Sequence, residues 1–248
     1  MLKKATLFDN LKGLDVHEGD VLFVRASVKE LGRIEGSYSD FLNWILEYLG
    51  PSGTICALSF TPYDKISKLD RIVVFDSKTK SNAGGFSNLV LRHQNAVRSQ
   101  HPTNSFVAIG KHAKDIVRGH DAASSCYYPM DKIIKLKGKM ILMGCSESSL
   151  GFTTVHWAQH KLGYSTQSFY KNRYGAMYNN QGVRELYIKT DFGGCSNGFG
   201  NFYIKYLNKK IMRTGFVGSA FCIAARADQA FNHIGYVPDS SDFGQGGY

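Results

Sequence analysis

The chain has 248 residues, of which 43% are apolar and 20% are charged, a composition that fits one globular domain, alone or with a smaller lobe. No stretch reaches the ~18 to 20 uninterrupted apolar residues of a membrane span. The charged residues Asp9, Lys12 and Asp15 stand where a signal peptide needs an apolar segment. We therefore expect a cytoplasmic protein that does not bind membranes.

The cysteines and the net charge narrow the class of ligand. The five cysteines are widely spaced and include no C-x-x-C pair, so we expect reduced thiols and no metal site. The formal net charge is +10, which favours anionic ligands because a positive surface raises their local concentration. Nucleic acid is disfavoured, since the basic residues are dispersed and no known nucleic-acid-binding motif organises them. Phosphorylated small molecules such as coenzyme A or a nucleotide sugar fit this charge.

The first part of the chain predicts a strand, a helix and a second strand. Residues 21–24 are an apolar run typical of a buried strand. Residues 39–49 place apolar side chains three and four positions apart behind a Ser or Asp cap, which predicts a helix. The second strand, over 54–60, completes an order typical of parallel α/β proteins. Residues 62–85 are polar and predict a long surface loop.

The alternation continues to the end of the chain. We predict strands at 105–109 and 139–144 and helices at 86–93, 111–118, 152–163, 200–212 and 225–234. Beyond Gly163 the composition shifts toward Tyr, Phe, Lys and Arg, and runs at 174–178 and 183–190 indicate a hairpin. The predicted fold is α/β, with a mixed, largely parallel central sheet flanked by helices and a smaller aromatic-rich lobe. The single domain covers 1–248, with the lobe at 164–200 and a disordered tail at 240–248.

Two histidines on the predicted helix 152–163 are candidates for chemistry. His156 and His160 lie four residues apart on one helix face, a spacing that lets two imidazoles share a metal. A zinc protease would also need Glu beside the first histidine, where this chain has Trp157. A surface His160 and a structural His156 are therefore the interpretations favoured by these residues alone.

Two other segments could bind phosphate or a nucleotide base. The glycines of 193–200 precede a predicted helix and could hold a phosphate through backbone N–H groups. Their loose spacing is also that of a flexible loop, which we prefer. The segment Phe169–Tyr174 combines aromatic faces with Lys171 and Arg173, which suits a nucleotide as well as it suits an exposed hairpin edge.

Six short motifs occur in the order typical of one enzyme family. They are Gly19–Gly32, Gly50–Thr61, His101–Gly110, Gly138–Gly144, Phe152–Ala158 and Gly215–Ala220. Together they resemble the aminoglycoside 3-N-acetyltransferases, and the sequence from His101 resembles that family's loop usually written HPTHSF. The resemblance spans roughly residues 15–235.

The resemblance implies an acyl-CoA-dependent N-acyltransferase that uses acetyl-CoA or a longer acyl-CoA. The family's catalytic base falls at His156, and an imidazole titrating near about pH 6.5 can take the proton of an amine that attacks a thioester directly. We expect Asp191 to orient this base, and the family also suggests a homodimer. The backbone N–H groups of Ser27 and Val28 would stabilise the developing oxyanion. The cofactor would lie against Ser27, Val28, His101, Thr103 and Ser105.

Two departures from the family pattern bear on the acceptor. Gln159 stands where the family usually carries Glu, and Asn104 replaces the second histidine of the HPTHSF loop. Because aminoglycosides are polycations, a chain with a net charge of +10 favours a different acceptor. We predict a nucleotide-linked amino sugar, such as a dTDP-amino-dideoxy sugar of polysaccharide biosynthesis, bound by Tyr170, Lys171, Arg173 and Tyr174. The alternatives are an aminoglycoside 3-N-acetyltransferase and a noncatalytic nucleotide- or nucleic-acid-binding protein.

Overall fold

A computed structural model describes residues 1–71, 73–147, 151–163, 174–189 and 198–235. The strands are β1 (Val21–Ala26), β2 (Thr54–Leu58), β3 (Asp64–Lys65), β4 (Val97–Arg98), β5 (Phe106–Gly110), β6 (Lys139–Met143), β7 (Tyr174–Asn180), β8 (Val183–Ile188), β9 (Met212–Val217) and β10 (Ala220–Arg226). The α-helices are α1 (Lys4–Gly13), α2 (Tyr38–Leu49), α3 (Gly85–Arg92), α4 (Ala113–Val117), α5 (Pro129–Lys135), α6 (Thr154–Lys161), α7 (Asn201–Asn208) and α8 (Ala227–Gly235).

Within the described residues, the main sheet has seven strands in the order β4-β5-β2-β1-β6-β10-β9. Its parallel pairings are at the centre, where β1 pairs with β2 and β6, whereas β5 and β10 join antiparallel on either side. This arrangement confirms the α/β fold class with a mixed central sheet. Since β1, β2 and β6 run in the same direction, the residues after them meet at one edge of the sheet, where ligands of α/β proteins commonly bind.

Helices cover both faces of this sheet and bury two apolar layers. One layer includes Leu7 of α1, Ile45 of α2 and Val90 of α3, each fully buried against one face. The other contains residues of α4 to α8, among them Met130 and Phe202. Each such side chain contributes ~1.5–3 kcal/mol when it leaves water, so these layers fix the sheet that carries the site.

Helix α2 begins where the sequence pattern predicts. The Ser37 Oγ accepts the Asp40 N–H at 3.2 Å, and the Asp40 carboxylate accepts the Ser37 N–H at 2.7 Å. This reciprocal capping box satisfies two N–H groups at the start of the helix. The helix ends at Leu49 and is followed by Gly50, whose φ of 66° few other residues adopt without strain.

The prediction of a surface loop over 62–85 is wrong. This segment contains β3 and a 3-10 turn over Ile66–Arg71, and Phe75 is buried. The strand β3 pairs with β7 in a second, three-stranded sheet of order β3-β7-β8. The predicted hairpin is confirmed, with β7 and β8 paired from Gly175–Ile188 to Asn180–Val183.

The sequence pattern did not predict α1, α5 or the hairpin of β9 and β10. The helix predicted over 200–212 ends at Asn208, and β9 begins at Met212. The tail predicted at 240–248 lies outside the described residues, and the division into a domain with a lobe at 164–200 stays a prediction. Among the described helices, none is both long and apolar enough to cross a membrane.

Candidate active site

A cavity of about 520 Å³ opens where the central strands end. Its walls come from β1 and the turn after it, from the end of β2, and from the approach to α3. The lining residues are Val24–Lys29, Ala57, Leu58, Phe60, Asn82–Ser87 and Cys145. The structure thus brings Ser27 and Val28, two of the predicted cofactor contacts, into one cavity.

The first turn of α3 forms one wall of this cavity. Gly84 precedes the helix with a φ of 109° and no side-chain cap. A Cβ on Gly85 would lie 3.0 Å from the Val28 Cγ2, so glycine allows the helix to approach the turn closely. Because the N–H groups of a helix start carry partial positive charge, this wall suits an anionic group. The Gly-Gly pair before a helix was visible in the sequence as a signal for such a wall.

The backbone N–H groups of Ser27 and Val28, both predicted to donate to an oxyanion, differ in their hydrogen bonding. The Ser27 N–H donates to the Met143 carbonyl at 2.9 Å, so it is already used in holding the turn to β6. The Val28 N–H makes no hydrogen bond to the described residues. Of the pair, Val28 therefore offers the donor.

Arg25 and Cys145 complete the floor of the cavity, and the sequence pattern missed both. The Arg25 guanidinium donates to the Gly151 carbonyl at 2.9 Å, and burial lowers its pKa. The Cys145 thiol donates to the Arg25 carbonyl at 3.4 Å, and burial raises its pKa, so it is a neutral thiol at pH 7. Only the adjacency of β1 and β6 brings these two residues together.

His156 lies on α6, half-buried, beside the cavity rather than in its lining. Its ring stacks on Tyr127 with centroids 4.4 Å apart and an interplanar angle of 9°. Tyr127 in turn packs edge-on against Phe60, which lines the cavity, at 6.3 Å. The Nδ1 of His156 lies 3.3 Å from Oε1 of the buried Gln159. One aromatic ring therefore connects the predicted base to the cavity wall.

His160, the second histidine of α6, stacks on Trp157 with centroids 5.0 Å apart. In the part of the chain that the structure describes, no three His, Cys, Asp or Glu side chains are grouped so as to bind a metal ion.

The loop that begins at His101 lies in the interior, and its predicted cofactor contacts do not line the cavity. His101 is fully buried and accepts the Asn104 N–H at Nδ1, at 3.0 Å. Burial, His120 and Lys189 hold the pKa of His101 well below its usual range, so the imidazole is neutral.

Thr103 and Ser105 of this loop are buried too. The Thr103 hydroxyl donates to the Asn104 side chain at 2.8 Å, and the Ser105 hydroxyl accepts from Arg98 at 2.8 Å. Contact of His101, Thr103 or Ser105 with the cofactor stays a prediction.

Four of the predicted site residues, Asp191, Tyr170, Lys171 and Arg173, lie outside the described residues. Tyr174, the remaining predicted substrate-binding residue, begins β7 and contacts Tyr63 with ring centroids 5.9 Å apart. It belongs to the second sheet and does not line the cavity.

Comparisons with known proteins point to one family. A family model for aminoglycoside 3-N-acetyltransferases matches residues 23–236. Aminoglycoside N(3)-acetyltransferase III from a Salmonella species is 27% identical over 175 residues, which cover 64% of this chain and 60% of the relative. Aminoglycoside N(3)-acetyltransferase IV, also from Salmonella, is 26% identical over 236 residues, covering 91% of this chain and 83% of the relative. The chain thus spans 60% of the length of the first of these relatives.

A solved structure shows the same fold. AAC-IIIb in a binary complex with CoASH has a TM-score of 0.78 to this chain at 19% identity, and 93% of each chain is covered.

These matches contradict the predicted acceptor. The family model and the curated relatives are aminoglycoside acetyltransferases, so they favour the alternative over a nucleotide-linked amino sugar of polysaccharide biosynthesis. The prediction relied on the net charge of +10, which is a property of the whole chain and does not give the local potential at one cleft. The nucleotide-binding role predicted for Tyr170, Lys171, Arg173 and Tyr174 depended on the same premise.

Proposed function

Because the chain belongs to the aminoglycoside 3-N-acetyltransferase family, we propose that it transfers an acetyl group from acetyl-CoA to an amine of an aminoglycoside. The observation that carries this proposal is the half-buried His156, one aromatic ring away from a cavity of about 520 Å³. That cavity has a helix start for an anionic group and an N–H donor at Val28.

The thioester end of the cofactor occupies the cavity in this proposal. The pantetheine arm lies in the cavity that Val28 and Gly85 help to line, and the thioester reaches the floor formed by Arg25 and Cys145. Lys29 is exposed at the rim, where its ammonium can meet a phosphate of the cofactor. The bound CoASH in the AAC-IIIb complex supports a cofactor of this class.

His156 acts as the general base. An aminoglycoside amine is mostly ammonium at neutral pH, and only its deprotonated form can attack a carbonyl carbon. The ammonium first loses one proton to solvent. As the neutral amine nitrogen bonds to the thioester carbon, the imidazole accepts a second proton from that nitrogen, and the carbon–sulfur bond breaks to release CoA. The proton held by His156 then passes to the leaving thiolate. No covalent enzyme intermediate forms.

The remaining groups stabilise charge along this path. The carbonyl oxygen gains negative charge as the amine adds, and the Val28 N–H is the proposed donor to it. Asp191, the carboxylate predicted to partner His156, lies outside the described residues, and its role stays a prediction. The cationic Arg25 on the cavity floor adds positive potential near the same oxygen, although its guanidinium is held by the Gly151 carbonyl.

To test this proposal, the protein is incubated with acetyl-CoA and either sisomicin or a kanamycin-like acceptor. Turnover is measured as the release of free thiol, and NMR of the product shows which amine carries the acetyl group. A nucleotide-linked amino sugar serves as the comparison acceptor. His156→Ala should lower kcat by ~100-fold or more, whereas His160→Ala, on the same helix, should retain activity. The absence of turnover with every aminoglycoside, or equal losses in both variants, would refute the proposal.

A further inference from the structure

The ring of His156 stacks on one aromatic ring, meets a second one edge-on, and contacts an amide oxygen at Nδ1. We infer that Gln159 and Tyr127 are positioning residues that fix the tautomer and the plane of the His156 ring. This inference rests on the proposed role of His156 as the base. It assigns a task to two residues that do not themselves touch the reacting atoms.

Gln159 sets the tautomer. It lies one helical turn after His156, is 2% exposed, and places Oε1 3.3 Å from Nδ1 of the imidazole. Because an amide oxygen only accepts hydrogen bonds, this contact requires the proton on Nδ1. The lone pair of a neutral imidazole then resides on Nε2, which becomes the basic atom.

Tyr127 sets the plane of the ring. Its ring is nearly parallel to that of His156, and Phe199 meets the imidazole edge-on at 4.7 Å and 61°. Rings in contact from two directions restrict rotation of the imidazole about its side-chain bond. Tyr127 is itself 8% exposed and packed against Phe60, so the orientation of the base is tied to the cavity wall.

Tyr127 also affects the protonated form. When His156 accepts a proton, the imidazolium lies over the electron-rich face of the Tyr127 ring, an arrangement that favours a cation. Gln159 is neutral and adds an oriented dipole without a full charge. Gln159 and Tyr127 therefore orient the imidazole of His156. Because Gln159 is uncharged, it stabilises the protonated imidazolium less than a carboxylate at the same place would.

Replacing the amide by a carboxylate tests the role of Gln159. Gln159→Glu keeps the size of the side chain and places a negative charge beside Nδ1, which favours the imidazolium. The acid limb of the pH profile of kcat/KM should move upward by about one pH unit. The charges on the elements packed around α6 are unchanged in this variant: Asp131, Lys132 and Lys135 of α5, Asp228 and His233 of α8, and His160 and Lys161 of α6 itself.

The matched control is Gln94→Glu, which adds the same charge at an exposed glutamine after α3. It should leave both the pH profile and the His156 titration as in the wild type. Gln159→Met removes the acceptor at similar volume, and kcat should fall by roughly tenfold or more, with the KM for acetyl-CoA little changed.

Nitrogen-15 NMR of the imidazole reads the tautomer without any turnover. The wild-type spectrum should show the proton on Nδ1, and Gln159→Met should show a mixture of both tautomers. For Tyr127, the Leu variant should lose kcat by about tenfold, and the Phe variant, which keeps the stacked ring, should restore most of that loss.

The outcomes separate this inference from the proposed function. If the wild type carries the proton on Nε2, or if Gln159→Glu and Gln94→Glu have the same pH profile, the positioning role is refuted while acetyl transfer stands. If no aminoglycoside is acetylated, the function is refuted, and the NMR result alone decides the orientation of the ring. Circular dichroism of each variant identifies any that fail to fold. If Gln159→Met does not fold, the pH profile of Gln159→Glu tests the positioning role of Gln159 in its place.

Discussion

Protonation of the buried His101 should limit stability in mild acid. The side chain is 0% exposed, its Nδ1 accepts the Asn104 N–H at 3.0 Å, and its Nε2 lies 3.3 Å from the Tyr187 hydroxyl. Its ring stacks on that of His120 with centroids 4.8 Å apart. Burial in first place, with His120 and Lys189 adding to it, holds the pKa of His101 well below that of a free histidine.

The sign of the effect follows from the two states. In the unfolded chain a histidine takes up a proton below about pH 6.5, whereas the folded chain keeps His101 neutral. The unfolded state therefore binds more protons in mild acid, and the free energy of unfolding falls as the pH falls. One proton gives a slope of about 1.4 kcal/mol per pH unit, and the loss reaches about 2 kcal/mol at pH 5 relative to pH 8.

The variant His101→Asn removes the titrating group and retains an acceptor near the position of Nδ1. Its stability at pH 8 should be lower, because the smaller side chain leaves a void, but its dependence on pH should be shallower by one proton. Urea unfolding between about pH 5 and pH 8 measures this slope, provided that the m-value stays constant. The exposed His17, changed to Asn, is the control. A slope equal to that of the wild type in His101→Asn would show that His101 is not the buried neutral group described above.

Three further results are expected. Lys29→Glu, at the exposed rim of the cavity, should raise the KM for acetyl-CoA by roughly threefold to tenfold with kcat little changed. The control, Lys12→Glu at an exposed position of α1, should leave this KM unchanged. Gly110→Ala should destabilise the chain by ~2 kcal/mol or more, because φ is 114° and a Cβ would overlap the Gly53 carbonyl oxygen. Urea unfolding measures this loss, and a loss below ~0.5 kcal/mol would contradict the prediction. Added salt should lower kcat/KM for acetyl-CoA, since it screens a net charge of +10. Steady-state kinetics at several salt concentrations measure this, and a kcat/KM that does not fall with salt would refute the reasoning.

The sequence predicts those helices and turns that are determined by residues close together in the chain. The capping box of Ser37 and Asp40 lies at the start of α2, and the apolar spacing behind it lies within the helix. The turn between β7 and β8 is likewise visible in the residues that form it. The segment 62–85 resembles a surface loop because its apolar residues are few, and Phe75 is buried where it pairs with Tyr178 of β7. That partner lies far along the chain, and no window of the sequence contains both.

The residues of the candidate site likewise include some that a sequence motif predicts and others that only the tertiary structure brings together. Ser27 and Val28 were predicted from a motif that continues out of β1, and both line the cavity. Cys145 reaches the cavity because β6 lies beside β1, a fact of sheet order rather than of sequence pattern. Tyr127 precedes α5 in a segment without regular structure, and nothing around it indicates that its ring meets His156.

The net charge of the chain affects binding and chemistry in opposite directions. A positive potential weakens the capture of a polycationic acceptor, but by the same Coulomb term it favours loss of a proton from the bound ammonium. In the proposed reaction the neutral amine attacks the thioester, and an anionic cofactor would bind more strongly at the same potential. A charge of +10 therefore does not by itself exclude a cationic acceptor, because the reaction rate depends on the product of occupancy and the deprotonated fraction. In the proposed reaction, the geometry around His156 selects the acceptor, because the amine must come within hydrogen-bond distance of the basic nitrogen while the thioester carbon is held at the cavity floor.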